Sequence, residues 1–141
     1  MANLGYIQVV RHCNHFCGFC SNPSTPFVHT FETMRVLVDD LVRRGYFGVI
    51  LTGGEPTLHP ELPRIAAYAP QQGLHVRIIT NGSRLAEARF AEALAESGDT
   101  ILLAGKGHER SIIVNGQKIP WDEANVARTA IRKRIEREQN Q

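Results

Sequence analysis

The stretch FGVILTGGEP, residues 47–56, is a short apolar run that ends in two glycines, a glutamate and a proline. A run of this length, rich in apolar residues and bounded by glycine and proline, is typical of a buried strand that stops at a turn. A similar apolar run, rich in β-branched residues, precedes it at Tyr6–Val10, and another follows at His75–Thr80. Residues 47–52 are therefore predicted to form the second of three buried strands.

Helical patterns separate these strands. The first helix is predicted between Thr30, which can cap its start, and Gly45, which ends it. The apolar residues in between fall on one helical face: Met34, Leu37, Val38, Leu41 and Val42. Residues 61–72 predict a second helix, whose last turn Pro70 is expected to disrupt, and residues 83–96 predict a third. Strand–helix alternation predicts βαβ units, a parallel sheet and an α/β fold, with the loops that follow the strands gathered at one edge.

The pattern changes after Gly98. Residues 99–104 predict another strand, and two short apolar runs at 112–114 and 117–119 flank Asn115-Gly116, a strong hairpin signal. Asp122 is expected to cap a final charged helix that ends near residue 138.

Composition and charge narrow the class of protein. Of the 141 residues, 43% are hydrophobic and 21% charged, which favours a globular domain over a disordered chain. A formal net charge of +2 is too small to predict a nucleic-acid partner. The apolar runs are too short for a membrane span, and residues 1–5 lack the basic start of a secretory signal. The expected location is the cytoplasm.

The three cysteines of the chain form a C-x3-C-x2-C run at Cys13, Cys17 and Cys20. An odd, tightly spaced set is a poor basis for disulfides. Thiolates hold iron–sulfur clusters, and a four-iron cluster normally takes four of them, so three would leave one iron open. Zinc held by the same cysteines with His12 or His15 is the alternative left open by the residues alone.

This run, with the aromatic Phe19 directly before the last cysteine, resembles the hallmark of the radical S-adenosylmethionine (SAM) superfamily. The resemblance implies a [4Fe–4S] cluster on Cys13, Cys17 and Cys20, with SAM as the second cofactor. It also implies reductive cleavage of SAM to a 5′-deoxyadenosyl radical that abstracts hydrogen from a small-molecule substrate. A reductant protein such as a flavodoxin or ferredoxin would be a partner.

The resemblance continues along the chain. Residues 52–56 are similar to the second-strand motif of the family, which contacts the methionine end of SAM, and residues 79–82 resemble its third strand end. The family pattern therefore implies that Gly53, Gly54 and Glu55, with Phe19, bind the cofactor. Glycines let the backbone approach a ligand, and a carboxylate can receive an ammonium group. No catalytic acid or base and no particular substrate is predicted.

The tail resembles a second family. Residues 98–109 are similar to the C-terminal domain of the Mur ligases, in particular the ligase that adds the third amino acid to the UDP-N-acetylmuramoyl dipeptide. That resemblance implies that Gly105 and Glu109 bind the added amino acid. Ligase activity is not expected, because the chain has no Gly-x-x-x-x-Gly-Lys-[Ser/Thr] phosphate loop. The predicted division is a radical SAM module at 1–97 and a Mur-ligase-like segment at 98–141.

The complete expectation is an α/β protein: a partial, truncated radical SAM βα barrel, then a strand, a hairpin and a helix. The strand at 99–104 could extend the parallel sheet or belong to a separate lobe. An inactive chimeric fragment, or a remnant of the peptidoglycan-precursor ligase domain, is the alternative to a working enzyme. A truncated sheet would expose an unpaired edge, which predicts oligomers or aggregation.

Overall fold

The computed structural model describes most of the chain: 3–18, 20–95, 100–103, 111–114 and 117–120, with residues 122, 125, 128, 129, 132 and 136. Its centre is an open, parallel sheet of four strands in sequence order. The strands are β1 (Leu4–Val10), β2 (Gly48–Gly53), β3 (His75–Thr80) and β4 (Thr100–Leu103). The predicted α/β class with parallel strands is confirmed.

Three helices connect these strands: α1 (Phe31–Arg43), α2 (Leu62–Gln71) and α3 (Ala88–Ala95). The side chain of Thr30 caps α1 by accepting from the Thr33 N–H, as expected, and Gly45 follows the helix with φ of 72°. Because neighbouring strands follow one another in sequence, right-handed crossovers place successive helices on the same face of the sheet. In agreement, α1 packs on α2 and α2 on α3.

The core lies between this helical layer and one face of the sheet. Alternate residues of the strands point into it, as the period of two requires, and meet apolar residues of the helices. The cluster includes Ile7, Val9, Val49, Leu51, Val76, Ile78, Met34, Val38, Leu41, Leu62, Ile65 and Leu94. Packing against the helices holds the strands in place, and the ends of the strands in turn set the positions of the loops that follow them.

One helix prediction was wrong in detail, and the disruption expected at Pro70 is small. Pro70 lies in the last turn of α2, where a proline removes one backbone hydrogen bond, and the helix ends one residue later at Gln71. The single helix predicted over 83–96 is a 3-10 turn at Ser83–Ala86 followed by α3. Glu87 separates the two because its backbone is extended, at φ −80° and ψ 103°.

The free edge of β1 is partly covered. The segment that returns from the cysteine loop forms an antiparallel bridge between Val10 and Val28. Two hydrogen bonds of 3.0 Å extend it, from His29 N to the Val9 oxygen and from Arg11 N to the Phe27 oxygen. The carboxyl half of β1 is therefore paired on both sides, and oligomers through a sheet edge remain a prediction.

The strand after Gly98 joins the sheet. β4 pairs in parallel with β3, with Arg77 opposite Thr100 and Thr80 opposite Leu103. The strand was expected either to extend the parallel sheet or to belong to a separate lobe, and in the structure it extends the sheet as its fourth strand. The division of the chain at residues 97 and 98 is still a prediction.

The last described elements follow the predicted order. β5 (Ser111–Val114) and β6 (Gln117–Pro120) form an antiparallel hairpin whose turn residues lie outside the described part. The Asp122 carboxylate accepts from the Asn125 N–H at 2.9 Å, which is the expected cap. The five described residues beyond it are helical, and the rest of that predicted helix lies outside the description. Within the part of the chain that the structure covers, no helix is long and apolar enough to cross a membrane.

Candidate functional site at the carboxyl edge of the sheet

Three loops meet where β1, β2 and β3 end, as parallel strands require. Gly54 N donates to the Val10 oxygen at 3.0 Å, and Glu55 N donates to the His12 oxygen at the same distance. The backbone after β2 is thus bonded directly to the start of the cysteine loop. The predicted convergence of these loops is present in the structure.

The two glycines of the second loop are required by this contact. A Cβ atom on Gly53 would stand 2.3 Å from the Val10 oxygen, and one on Gly54 would stand 2.2 Å from the His12 oxygen. Both obstacles are backbone atoms that cannot swing aside. The pairing register shifts between Gln8 and Val10, which sets Val10 opposite Gly53. The absence of side chains at Gly53 and Gly54 lets the backbone after β2 approach the end of β1 and the start of the cysteine loop. The sequence motif predicted a close approach to a ligand and did not reveal this contact within the protein.

The three cysteines lie in the loop between β1 and α1. Cys20 N donates to the Cys17 oxygen at 3.0 Å, which closes a tight turn between the second and third cysteines. Cys13 and Cys17 are half-buried, Cys20 is exposed, and all three are free of disulfides. Burial raises the pKa of the Cys13 thiol, a hydrogen bond from the backbone of His15 opposes this, and nearby Glu55, Cys17 and Cys20 raise it further.

These residues fit an iron–sulfur cluster by donor chemistry. Among the residues described, no group of three or more His, Cys, Asp or Glu side chains converges as the shell of one metal ion would. A four-iron cluster takes its thiolates on separate irons, so they surround a body of several atoms. Three free thiols in one loop supply the sulfur donors that such a cluster uses. Phe19, predicted beside them, lies outside the described residues.

Glu55 is buried, with 1% of its surface exposed, and its carboxylate is heavily bonded. Oε1 accepts from the Thr57 N–H at 3.0 Å, from the Thr57 hydroxyl and from the Thr80 hydroxyl at 2.6 Å. Oε2 accepts from the Asn81 N–H at 2.7 Å. One side chain therefore joins the turn after β2 to the end of β3. Oε1 has no acceptor position left, and Oε2 has one.

A cluster of polar side chains that the sequence did not predict links the β3 end to the cysteine loop. Asn81 Nδ2 donates to Asn14 Oδ1 at 3.0 Å and lies 4.0 Å from Cys13 Sγ. Asn14 Nδ2 donates to Ser83 Oγ at 2.8 Å, and Ser83 N donates to Asn81 Oδ1 at 3.0 Å. The Asn81-Gly82 turn was visible as a loop, but the role of Asn14 had no sequence signal.

His59 is a second residue that sequence reasoning missed. It is 1% exposed, its Nε2 donates to the His29 oxygen at 2.7 Å, and its Nδ1 accepts from the Glu61 N–H at 3.0 Å. These bonds require a neutral ring with its proton on Nε2. His59 thereby ties the segment that covers β1 to the start of α2. Burial lowers the pKa of the neighbouring His29.

Gly105 and Glu109, the residues that the Mur ligase resemblance implies, lie outside the described part of the chain. They remain predictions.

The fold and the site define a class: an open α/β sheet whose carboxyl edge holds a three-cysteine loop against a Gly-Gly-Glu turn. The chain belongs to the radical SAM superfamily, whose family model matches residues 7–137.

Individual relatives agree with this and with the second resemblance. The Fe-coproporphyrin III synthase of Methanosarcina barkeri is 35% identical over 95 residues, which cover 64% of this chain and 24% of the relative. The UDP-N-acetylmuramyl-tripeptide synthetase of a Roseiflexus species is 40% identical over 88 residues, 59% of this chain and 17% of that protein. The chain thus spans at most about a quarter of either. The second match is longer than the segment 98–141, so it includes residues before Gly98.

A solved structure, the crystal structure of BtrN in complex with AdoMet and 2-DOIA, has the same fold over 74% of this chain and 47% of that one. The TM-score is 0.61 and the sequence identity 23%.

Proposed function

We propose that this chain binds a [4Fe–4S] cluster through Cys13, Cys17 and Cys20, and SAM beside it. Bound together, these groups would supply one-electron reductive cleavage of SAM to methionine and a 5′-deoxyadenosyl radical. The observation that carries the proposal is the pair of backbone hydrogen bonds from Gly54 and Glu55 to Val10 and His12. It holds the cysteine loop against the turn that the family motif assigns to SAM.

The cofactor contacts proposed for SAM are Gly53, Gly54 and Glu55, with Phe19. With both glycines lacking a side chain, the backbone edge after β2 stays open beside the cysteine loop. For Glu55, only the one acceptor position left on Oε2 could receive the ammonium group.

The proposed electron donor is a protein such as a flavodoxin or ferredoxin. The cysteine loop offers it a surface, since Phe16 is 96% exposed and Cys20 is exposed as well. An exposed aromatic beside a redox group is a suitable apolar contact for a transient partner. The substrate is proposed to be a small molecule, and the compartment the cytoplasm, where thiols stay reduced.

Anaerobic reconstitution with iron and sulfide tests the proposal. The protein would then be reduced with dithionite in the presence of SAM and assayed for 5′-deoxyadenosine. We expect about four irons per chain, lost in Cys17→Ala and retained in the loop control Ser21→Ala. Iron binding without 5′-deoxyadenosine would reduce the function to cluster binding, and the absence of a cluster in the unsubstituted chain would refute the proposal.

A second candidate is a remnant of the peptidoglycan-precursor ligase C-terminal domain without catalysis, favoured by the 40% identity to the Roseiflexus synthetase. In that case Gly105 and Glu109 would bind the amino acid that such a ligase adds. Calorimetric titration with diaminopimelate tests it: heat of binding that disappears in Glu109→Gln would support it, and no binding would remove this candidate.

A further inference from the structure

The contacts of Glu55 point to a second role, in addition to the proposed contact with SAM. Its Oε1 is filled by donors from Thr57 and Thr80, and its Oε2 holds the Asn81 N–H. A buried carboxylate with four donors is a rigid element, because its loss would leave the buried donors of Thr57 and Thr80 without their acceptor.

Asn81 carries this rigidity to the cysteine loop. Its backbone N–H is held by Glu55, while its side chain donates to Asn14 and lies against Cys13 Sγ. Asn14 is fixed a second time, by its bond to Ser83. The first cysteine and its neighbour are thereby attached to the end of β3, two strands away from β1, where the loop starts.

We propose that Glu55 and Asn81 are positioning residues that act in series: the Glu55 carboxylate sets the Asn81 turn, and the Asn81 side chain sets Cys13 and Asn14. The inference rests on the proposed function only in that Cys13 is taken to be a cluster ligand. It gives Glu55 a role that exists in the metal-free protein, before any SAM is bound.

Amide hydrogen exchange in the metal-free protein tests the proposal. The His15 N–H donates to Cys13 Sγ at 3.4 Å, so its exchange rate, followed by NMR, reports how firmly this part of the loop is held. We expect Glu55→Gln and Asn81→Ala each to raise this rate about threefold to tenfold, the value of one hydrogen bond. In Glu55→Gln an amide group can face the Asn81 N–H, donor against donor.

The matched control is Thr57→Val. It removes one hydroxyl bond to the same carboxylate on the side away from Asn81, and it should leave the His15 rate unchanged while lowering the melting temperature. Because the two residues act in series, the double variant should exchange about as fast as the faster single variant. If Glu55 instead acted on the Cys13 thiol directly through its charge, the effects of the two substitutions on the exchange rate would add.

An unchanged His15 rate in Glu55→Gln, or fully additive effects in the double variant, would overturn the proposal. If Glu55→Gln does not fold, Asn81→Ala provides the test by itself, and an unchanged exchange rate of the His15 N–H in that variant would overturn the proposal. The measurement needs neither iron nor SAM. A chain that binds no cluster would therefore refute the proposed function without changing the exchange result, and the reverse also holds.

Discussion

A methyl group added at Gly54 would stand 2.2 Å from the carbonyl oxygen of His12, less than any real contact of such atoms allows. The backbone that follows β2 and the backbone that carries the first cysteine are therefore in direct contact. The position of the cysteine loop above the sheet is set by β2 as much as by β1.

Gly54→Ala is expected to displace the cysteine loop. Its Cβ would also stand 2.7 Å from the Arg11 oxygen, and backbone atoms on two sides leave no way to relax locally. Overpacking of this kind costs roughly 1–3 kcal/mol. We expect a lower melting temperature and fewer irons per chain after reconstitution, measured by thermal unfolding and metal analysis.

Gly18→Ala is the matched control. Gly18 lies in the same loop, and an added Cβ there meets nothing within 4 Å. Equal losses in both variants would mean that any change in this loop disturbs iron binding and that the Gly54 contact has no special role.

The cysteines of the metal-free protein should react with iodoacetamide in a fixed order. Cys20 is exposed, whereas Cys13 is half-buried and burial raises the pKa of its thiol. Since the thiolate is the reactive form, Cys20 is expected to be alkylated before Cys13 at neutral pH. Mass spectrometry of peptides from timed samples measures the order. In urea the difference should disappear, and faster labelling of Cys13 in the folded protein would contradict the structure.

Stability should depend on pH through His29. The folded protein lowers the pKa of His29 from its ordinary value of 6.5, chiefly by burial, so the unfolded chain takes up the proton more readily. The free energy of unfolding should therefore fall as the pH drops below about 6.5, down through the lowered pKa of the folded state. Urea titrations across this range measure it.

His29→Gln is the comparison for this pH effect. The substitution keeps the backbone oxygen that accepts from His59 and removes the titrating ring. The decrease in stability below pH 6.5 should then be smaller than in the unsubstituted protein. An identical decrease would assign the pH dependence to other groups.

Phe16→Ser tests the proposed contact with a reductant. Phe16 is 96% exposed, so its removal costs the fold little, and it lies in the cysteine loop. The rate of 5′-deoxyadenosine formation with reduced flavodoxin is expected to fall, whereas the rate with dithionite stays the same because a small reductant needs no protein contact. A parallel fall with both reductants would show damage to the site itself.

The elements of the fold were predictable because their signals are local. Thr30 and Gly45 bound α1 as their capping chemistry requires, and all four strands of the sheet agree with the predicted runs to within two residues. The break at Glu87 was not predictable. It depends on tertiary contacts of the preceding turn, in which Arg84 donates to the backbone oxygen of Thr57 at 2.7 Å.

The candidate site was predictable in its motifs and not in its internal contacts. Cys13 and Gly54 stand out by spacing, but the bond between Asn14 and Ser83 joins residues that are 69 positions apart and have no common pattern. The buried state of Glu55 was hidden for a similar reason: its four donors come partly from β3. Contacts of this kind arise only once the strands are side by side.

The long connection from β1 to α1 is attached to the sheet at several points described above. Its first residues are bonded to the backbone after β2, Asn14 to the turn after β3, and residues 27–29 to the edge of β1. These attachments divide the connection into shorter loops whose ends are held by the sheet. The conformational entropy of these loops is lost when the protein folds. A ligand that docks on this loop would then have little disorder left to remove. Affinity at such a site is determined by the bonds formed to the ligand more than by the cost of ordering the chain.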